Sequence, residues 1–170
     1  LSQGNSISIT DVEGDIIEFN ITPREGYEIE KVEYKLLNNA VRDMVSSPIS
    51  GGMKYKLSNE DGAIPNGTLL VTFSSVYTIS VDEDIDTDKG TVTISGSDKN
   101  GVLKVKDGDT VNYTVTALKG YQIDSITIGD VTQTYSGNTE AISDIFAAQS
   151  NTKISAEFSK KKFGLSLGYK

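Results

Sequence analysis

The densest run of side chains able to do chemistry is Asp82-Glu83-Asp84-Ile85-Asp86-Thr87-Asp88-Lys89-Gly90. Asp84, Asp86 and Asp88 fall at the first, third and fifth positions of a calcium-loop pattern, where side-chain oxygens converge on a hard cation. The pattern then breaks, because Lys89 stands at the glycine position and Ser95 where a bidentate glutamate belongs. On an extended strand, Asp82, Asp84, Asp86 and Asp88 would share one face and repel one another. A bound calcium ion would relieve that repulsion. So would a solvated hairpin loop, at little cost. Calcium is the one cofactor the sequence suggests.

Tyr27 and Tyr121 are the second candidates, each directly after a glycine. A tyrosine ring can stack on a sugar or on a partner's side chain, but repeated residues behind a turn glycine read first as cover for a core edge. Glycoside hydrolysis needs two carboxyl groups about 5–10 Å apart in a cleft. The many Asp and Glu supply such pairs by chance, and none stands out. A Lys–Asn isopeptide cross-link would need a buried lysine, asparagine and acid, which no motif marks. The Gly-Ser and Asp-Gly stretches lack the strand–glycine–helix context of a phosphate site.

What the chain omits excludes more. Its 170 residues hold no cysteine, no histidine and no tryptophan. Disulfides, thiol nucleophiles and thiolate metal sites are therefore out. So are an imidazole base and a Ser-His-Asp triad. No catalytic residue is assigned and no enzyme is expected. The net charge of −8 opposes binding to nucleic acid or to an anionic membrane surface. The basic run Lys160-Lys161-Lys162 reads as the solvated end of a segment. No stretch approaches the roughly 18 apolar residues of a membrane span. Neither a nucleic-acid partner nor membrane insertion is expected. The chain opens on Leu1 with nothing like a signal peptide, and reads as a processed product or a piece of something longer.

An internal repeat organises the elements that position these residues. Gly14–Tyr34 (GDIIEFNITPREGYEIEKVEY) and Gly108–Ile128 (GDTVNYTVTALKGYQIDSITI) align without a gap. Gly14/Gly108, Asp15/Asp109, Thr22/Thr116, Gly26/Gly120, Tyr27/Tyr121 and Ile29/Ile123 are identical pairs. Both units then close alike, in Thr68–Phe73 (TLLVTF) and Lys153–Phe158 (KISAEF). Ile17, Phe19 and Ile21 alternate with polar residues, as do Val111, Tyr113 and Val115, which predicts half-buried strands. The Gly-Tyr turn opens a second alternating run, giving a hairpin in each unit.

Further strands are expected at Ser6–Thr10, Tyr55–Leu57, Tyr77–Val81, Thr91–Ser95, Val102–Val105, Val131–Tyr135 and Phe163–Leu167, separated by Asn-Gly, Asp-Gly and Gly-Gly turns. Ile142, Ile145 and Phe146 have helical spacing, which predicts a helical turn or two there. The fold class is all-β, as two tandem small β-sandwich or Ig-like units of short antiparallel strands. An α+β reading, with β-grasp-like units carrying one short helix, stands as the alternative. The first unit covers residues 1–75, without an equivalent of the Tyr77–Val81 strand, and the second 76–159. Residues 160–170 form a basic tail or the start of a further strand. The linker is expected at Ser74-Ser75.

The second unit resembles the divergent internalin-type B-repeats, relatives of the Listeria–Bacteroides repeat. The resemblance runs from Tyr77-Thr-Ile-Ser-Val81 through Gly108-Asp109 and Lys119-Gly120-Tyr121 to Ile154-Ser-Ala-Glu-Phe158. The first unit shares Gly14-Asp15, Glu25-Gly26-Tyr27 and Leu69–Phe73, with a longer insertion around Leu37–Gly52. The resemblance implies a structural or adhesive module of an extracellular, cell-surface or secreted bacterial protein, a stalk or binding spacer with no catalytic residues to carry over. Its partners would be neighbouring repeats and a protein or glycan surface. Two alternatives are a phage virion accessory, such as a head fibre or decoration domain, and a carbohydrate-binding or calcium-dependent module of a secreted glycan enzyme.

Overall fold

The computed structural model describes residues 4–59 and 62–162. Among them every regular element is a strand. The chain divides into two compact units, Leu1–Val76 and Tyr77–Lys170.

In the first unit, β1 (Ser6–Glu13), β2 (Ile16–Thr22), β5 (Val45–Ile49) and β6 (Gly52–Ser58) form a sheet in the order β1-β2-β6-β5. A second layer places β3 (Tyr27–Leu36) between β4 (Val41–Arg42) and the first part of β7 (Gly67–Val81). The alternation in β2 works as expected: Phe19 and Ile21 are buried, as is Leu57 of β6, which stands opposite Ile17. Phe19 also stacks on Tyr55, with ring centroids 5.7 Å apart.

In the second unit, β8 (Gly90–Ile94), β10 (Thr110–Ala117) and β13 (Ala141–Ala147) form one sheet in the order β13-β10-β8. The other layer runs β12 (Val131–Thr134), β11 (Tyr121–Ile128), β14 (Thr152–Lys160) and the last residues of β7, with β9 (Val102–Lys106) also pairing β7. Ile79, Ile94, Val111, Tyr113, Val115, Ile123, Ile126, Ala148, Ile154 and Phe158 fill the space between the layers. Two sheets closed face to face over such a core make a β-sandwich.

The duplication is carried into the hydrogen-bond register. β3 pairs β7 with Ile29 opposite Phe73, then skips Glu30 and resumes with Lys31 opposite Thr72. β11 pairs β14 with Ile123 opposite Phe158, skips Asp124 and resumes with Ser125 opposite Glu157. The same bulge thus sits at the same repeat position. The turns agree as well. Tyr27 N donates to Arg24 O at 3.1 Å and Tyr121 N to Leu118 O at 2.9 Å. Gly26 and Gly120 stand at φ 78° and 89°, in the left-handed region where a side chain is strained.

Three expectations need correction. Ala141–Ala147 is a strand, not a helix, because Ile142 and Phe146 alternate with exposed residues while β10 supplies a full antiparallel partner. The β-grasp alternative, which needs that helix, falls with it. Ser74 and Ser75 are no linker loop, since β7 is continuous through them and Val76 N still donates to Gly26 O at 2.8 Å. The Leu37–Gly52 insertion holds two strands that went unanticipated, β4 and β5. β5 tolerates Pro48 because it lies at a sheet edge, where a missing N–H costs no ladder bond. The strand expected at Phe163–Leu167 lies outside the described residues.

Candidate functional site

The acidic run forms the turn between β7 and β8, and the Asp82 and Asp86 carboxylates are engaged within it. Asp82 Oδ1 accepts from Asp84 N at 3.1 Å, and Asp86 Oδ1 from Asp88 N at 3.2 Å. The Asp86 carbonyl accepts from Lys89 N and Gly90 N. Its second carboxylate oxygen meets Lys89 Nζ at 2.8 Å. That hydrogen bond holds the Asp86 carboxyl below the usual carboxylate range, opposed by desolvation and reinforced by the lysine charge. Asp84, Asp86 and Asp88 share a loop without forming a cage. Among the described residues no group of three or more acidic side chains is placed to hold a metal ion.

Lys89 explains itself in this geometry. It occupies the position a calcium loop gives to glycine and supplies in place the cation that offsets Asp86. The turn feeds straight into Gly90, packed so closely on Phe158 that a Cβ there would sit 2.2 Å from the ring. The loop's shape therefore serves the closing strand and core of its own unit.

Tyr27 and Tyr121 begin the matched strands β3 and β11, both half-buried. The Arg24 guanidinium lies over the Tyr27 ring, 4.1 Å from its centroid, a cation–π contact. A hydrogen bond with Arg24, and a lesser one with Ser75, lowers the Tyr27 hydroxyl below the ordinary phenol range. In the second unit Leu118 stands in the place of Arg24. Its N–H donates to Lys89 O at 2.8 Å, whereas Arg24 N donates to the buried Asn5 side chain at 2.8 Å.

Two apolar hollows went unsignalled in the sequence. In the first unit, Ile7, Tyr27 and Leu69–Phe73 line an open groove of about 630 Å³. In the second, Tyr113, Ile126, Ile128, Val131, Gln133 and Phe146 line a cleft of about 260 Å³. Tyr113 packs on Phe146 at 6.1 Å, and burial pushes its hydroxyl up, helped by the Asp144 charge. Neither hollow gathers a nucleophile with a base. The chemistry on offer is apolar contact and backbone pairing along a strand edge.

Neither the curated proteins nor the solved structures include a significant match to this chain. Residues 83–162 do match a known family, the divergent InlB B-repeat domain, and so span the acidic turn, the Gly120-Tyr121 turn and β14. That match covers the greater part of the second unit and agrees with the resemblance read from the sequence.

Proposed function

We propose that this chain is a non-enzymatic structural and adhesive repeat module of a bacterial cell-surface or secreted protein, acting as a stalk or binding spacer. The observation that carries this reading is the register-for-register repetition of a β-sandwich unit, bulge included. The match of residues 83–162 to a family of bacterial surface repeats supports the location. Repetition of a scaffold without repetition of a reactive constellation favours reach and surface area over turnover. The interior of each unit carries shape, and exposed strand edges and loops meet a protein or glycan partner.

Protease shaving of intact source cells tests it. Trypsin is expected to release peptides of this chain from unbroken cells or from the medium. Recovery only after lysis would overturn the proposal.

A further inference from the structure

β12 and β13 are the outermost strands of the two layers of the second unit, one in each layer. Their inner faces part instead of closing, and the cleft of about 260 Å³ lies between them. Ile126 and Ile128 of β11 and Tyr113 of β10 form its floor. Val131 and Gln133 of β12 and Phe146 of β13 form its lips. Ile126 and Tyr113 are buried, whereas Val131 is 73% exposed. An apolar floor beneath an exposed apolar lip has the make-up of a binding cleft.

Asp144 adds a charge to it. Antiparallel pairing sets Asp144 directly opposite Tyr113, and residues so opposed share a face of the sheet. Tyr113 belongs to the core, so Asp144 stands on the inner face of β13, between Ile142 and Phe146. Its Oδ1 accepts from Ile145 N at 2.8 Å. Among the described residues no lysine or arginine forms an ion pair with it. Burial pushes the Tyr113 and Tyr135 hydroxyls up and the Asp144 charge adds to both, so the three side chains stand within electrostatic reach. A carboxylate that occupies the Ile145 N–H also obstructs a new strand at that point. A partner therefore enters the cleft with a side chain and does not extend the sheet.

Size and charge narrow the occupant. The cleft falls short of a typical small-molecule site, at about 300–1,000 Å³, and suits one long side chain. Gln133 and the Tyr113 hydroxyl are the polar groups of its lining, too few to match the hydroxyls of a sugar. An acidic partner would meet the uncompensated Asp144 on a chain of net charge −8. A basic side chain suits every part: its stem is apolar, its head is cationic, and aromatic rings attract that charge.

We infer that the cleft between β12 and β13 binds a protruding arginine or lysine side chain of a partner protein. The stem lies along Ile128, Val131 and Phe146, and the cation reaches Asp144. This names the kind of protein contact that the binding-spacer reading leaves open, and it rests on that reading only in supposing an outside partner. Peptide binding by the purified chain succeeds or fails whatever its location in the cell, so the two are separable.

Methyl NMR on the full chain, titrated with acetyl-Gly-Arg-Gly-amide or acetyl-Gly-Leu-Gly-amide, tests the inference. The arginine peptide should shift the Ile126, Ile128 and Val131 methyls saturably and leave those of Ile21 and Leu57 in place. Asp144→Asn keeps an oxygen for Ile145 N and removes only the charge. It should weaken the arginine peptide about fivefold, the ceiling for an exposed ion pair, and leave the leucine peptide unaffected. Glu83→Gln removes a charge from the turn before β8 and should change neither. Equal losses for both peptides, or the same loss with Glu83→Gln, overturn the inference, as does an arginine peptide indifferent to Asp144→Asn. Absence of saturable shifts overturns it too: the chain then closes the cleft itself, or Asp144 only guards the edge.

Discussion

Ile154→Ala and Leu69→Ala alter matched repeat positions in opposite surroundings. Ile154 is fully buried in β14, paired with Ile128 on one side and Val81 on the other. Leu69 occupies the same point in β7 but lies half-buried on the groove. Either change deletes three carbons, which at about 0.8 kcal/mol each removes about 2.4 kcal/mol of transfer free energy when burial is complete. At Ile154 the enclosed void adds a further penalty of about 24 cal/mol per Å³, bringing the total to about 3–4 kcal/mol. At Leu69 the transfer term falls to about 1 kcal/mol, and an open groove leaves no sealed cavity. Hydrogen exchange by mass spectrometry across a urea series, on chain dilute enough to be monomeric, reads each unit separately. Ile154→Ala should lower the opening free energy of β10 and β11 while β2 and β3 hold. Leu69→Ala should produce the smaller loss, in β2 and β3. Equal costs, or the reverse order, would refute the difference in burial between Ile154 and Leu69.

Two further outcomes follow from the acidic turn and the residue after it. Gly90→Ala should destabilise the second unit by about 1–3 kcal/mol, because its Cβ would press into the Phe158 ring; unchanged exchange in β14 would show that the ring simply moves aside. Asp86 should titrate below the ordinary carboxylate range, and Lys89→Met should return it toward that range in a carboxyl NMR titration. The sign follows from a depressed folded value: the Asp86–Lys89 contribution is complete above the unfolded pKa and disappears as pH falls through the folded one. Millimolar calcium should leave that titration where it is. A calcium-dependent shift would instead show that the loop opens to take the ion.

Side-chain periodicity made β2, β3, β10 and β11 legible, since alternation at Ile17, Phe19 and Ile21 or Val111, Tyr113 and Val115 admits one buried face only. The Gly-Tyr turns were legible for a related reason: Gly26 and Gly120 must stand at positive φ. Misreading came where local spacing was ambiguous. Ile142, Ile145 and Phe146 fit a helix as a string, but the pairing of β13 with β10 settles the backbone as extended and leaves Ile145 59% exposed. The serines at Ser74 and Ser75 looked like a break, yet Tyr27 and Glu28 stand opposite them in the ladder and keep the strand unbroken. Of the candidate sites, the aspartates could be found from spacing alone. That Asp86 is committed to Lys89 could not, because the direction of one lysine side chain depends on the turn it closes.

The sequence by itself determined that the chain is duplicated, strand-built and free of thiol, imidazole and indole chemistry. These are properties of residue identity and of a period-two pattern that each local segment carries alone. Only the tertiary structure decided which strand edges are covered. Pairing is a long-range event: the parallel seat of Ile79–Val81 beside β14, and the antiparallel ladder of β3 along β7, depend on segments far apart in the chain meeting in one register.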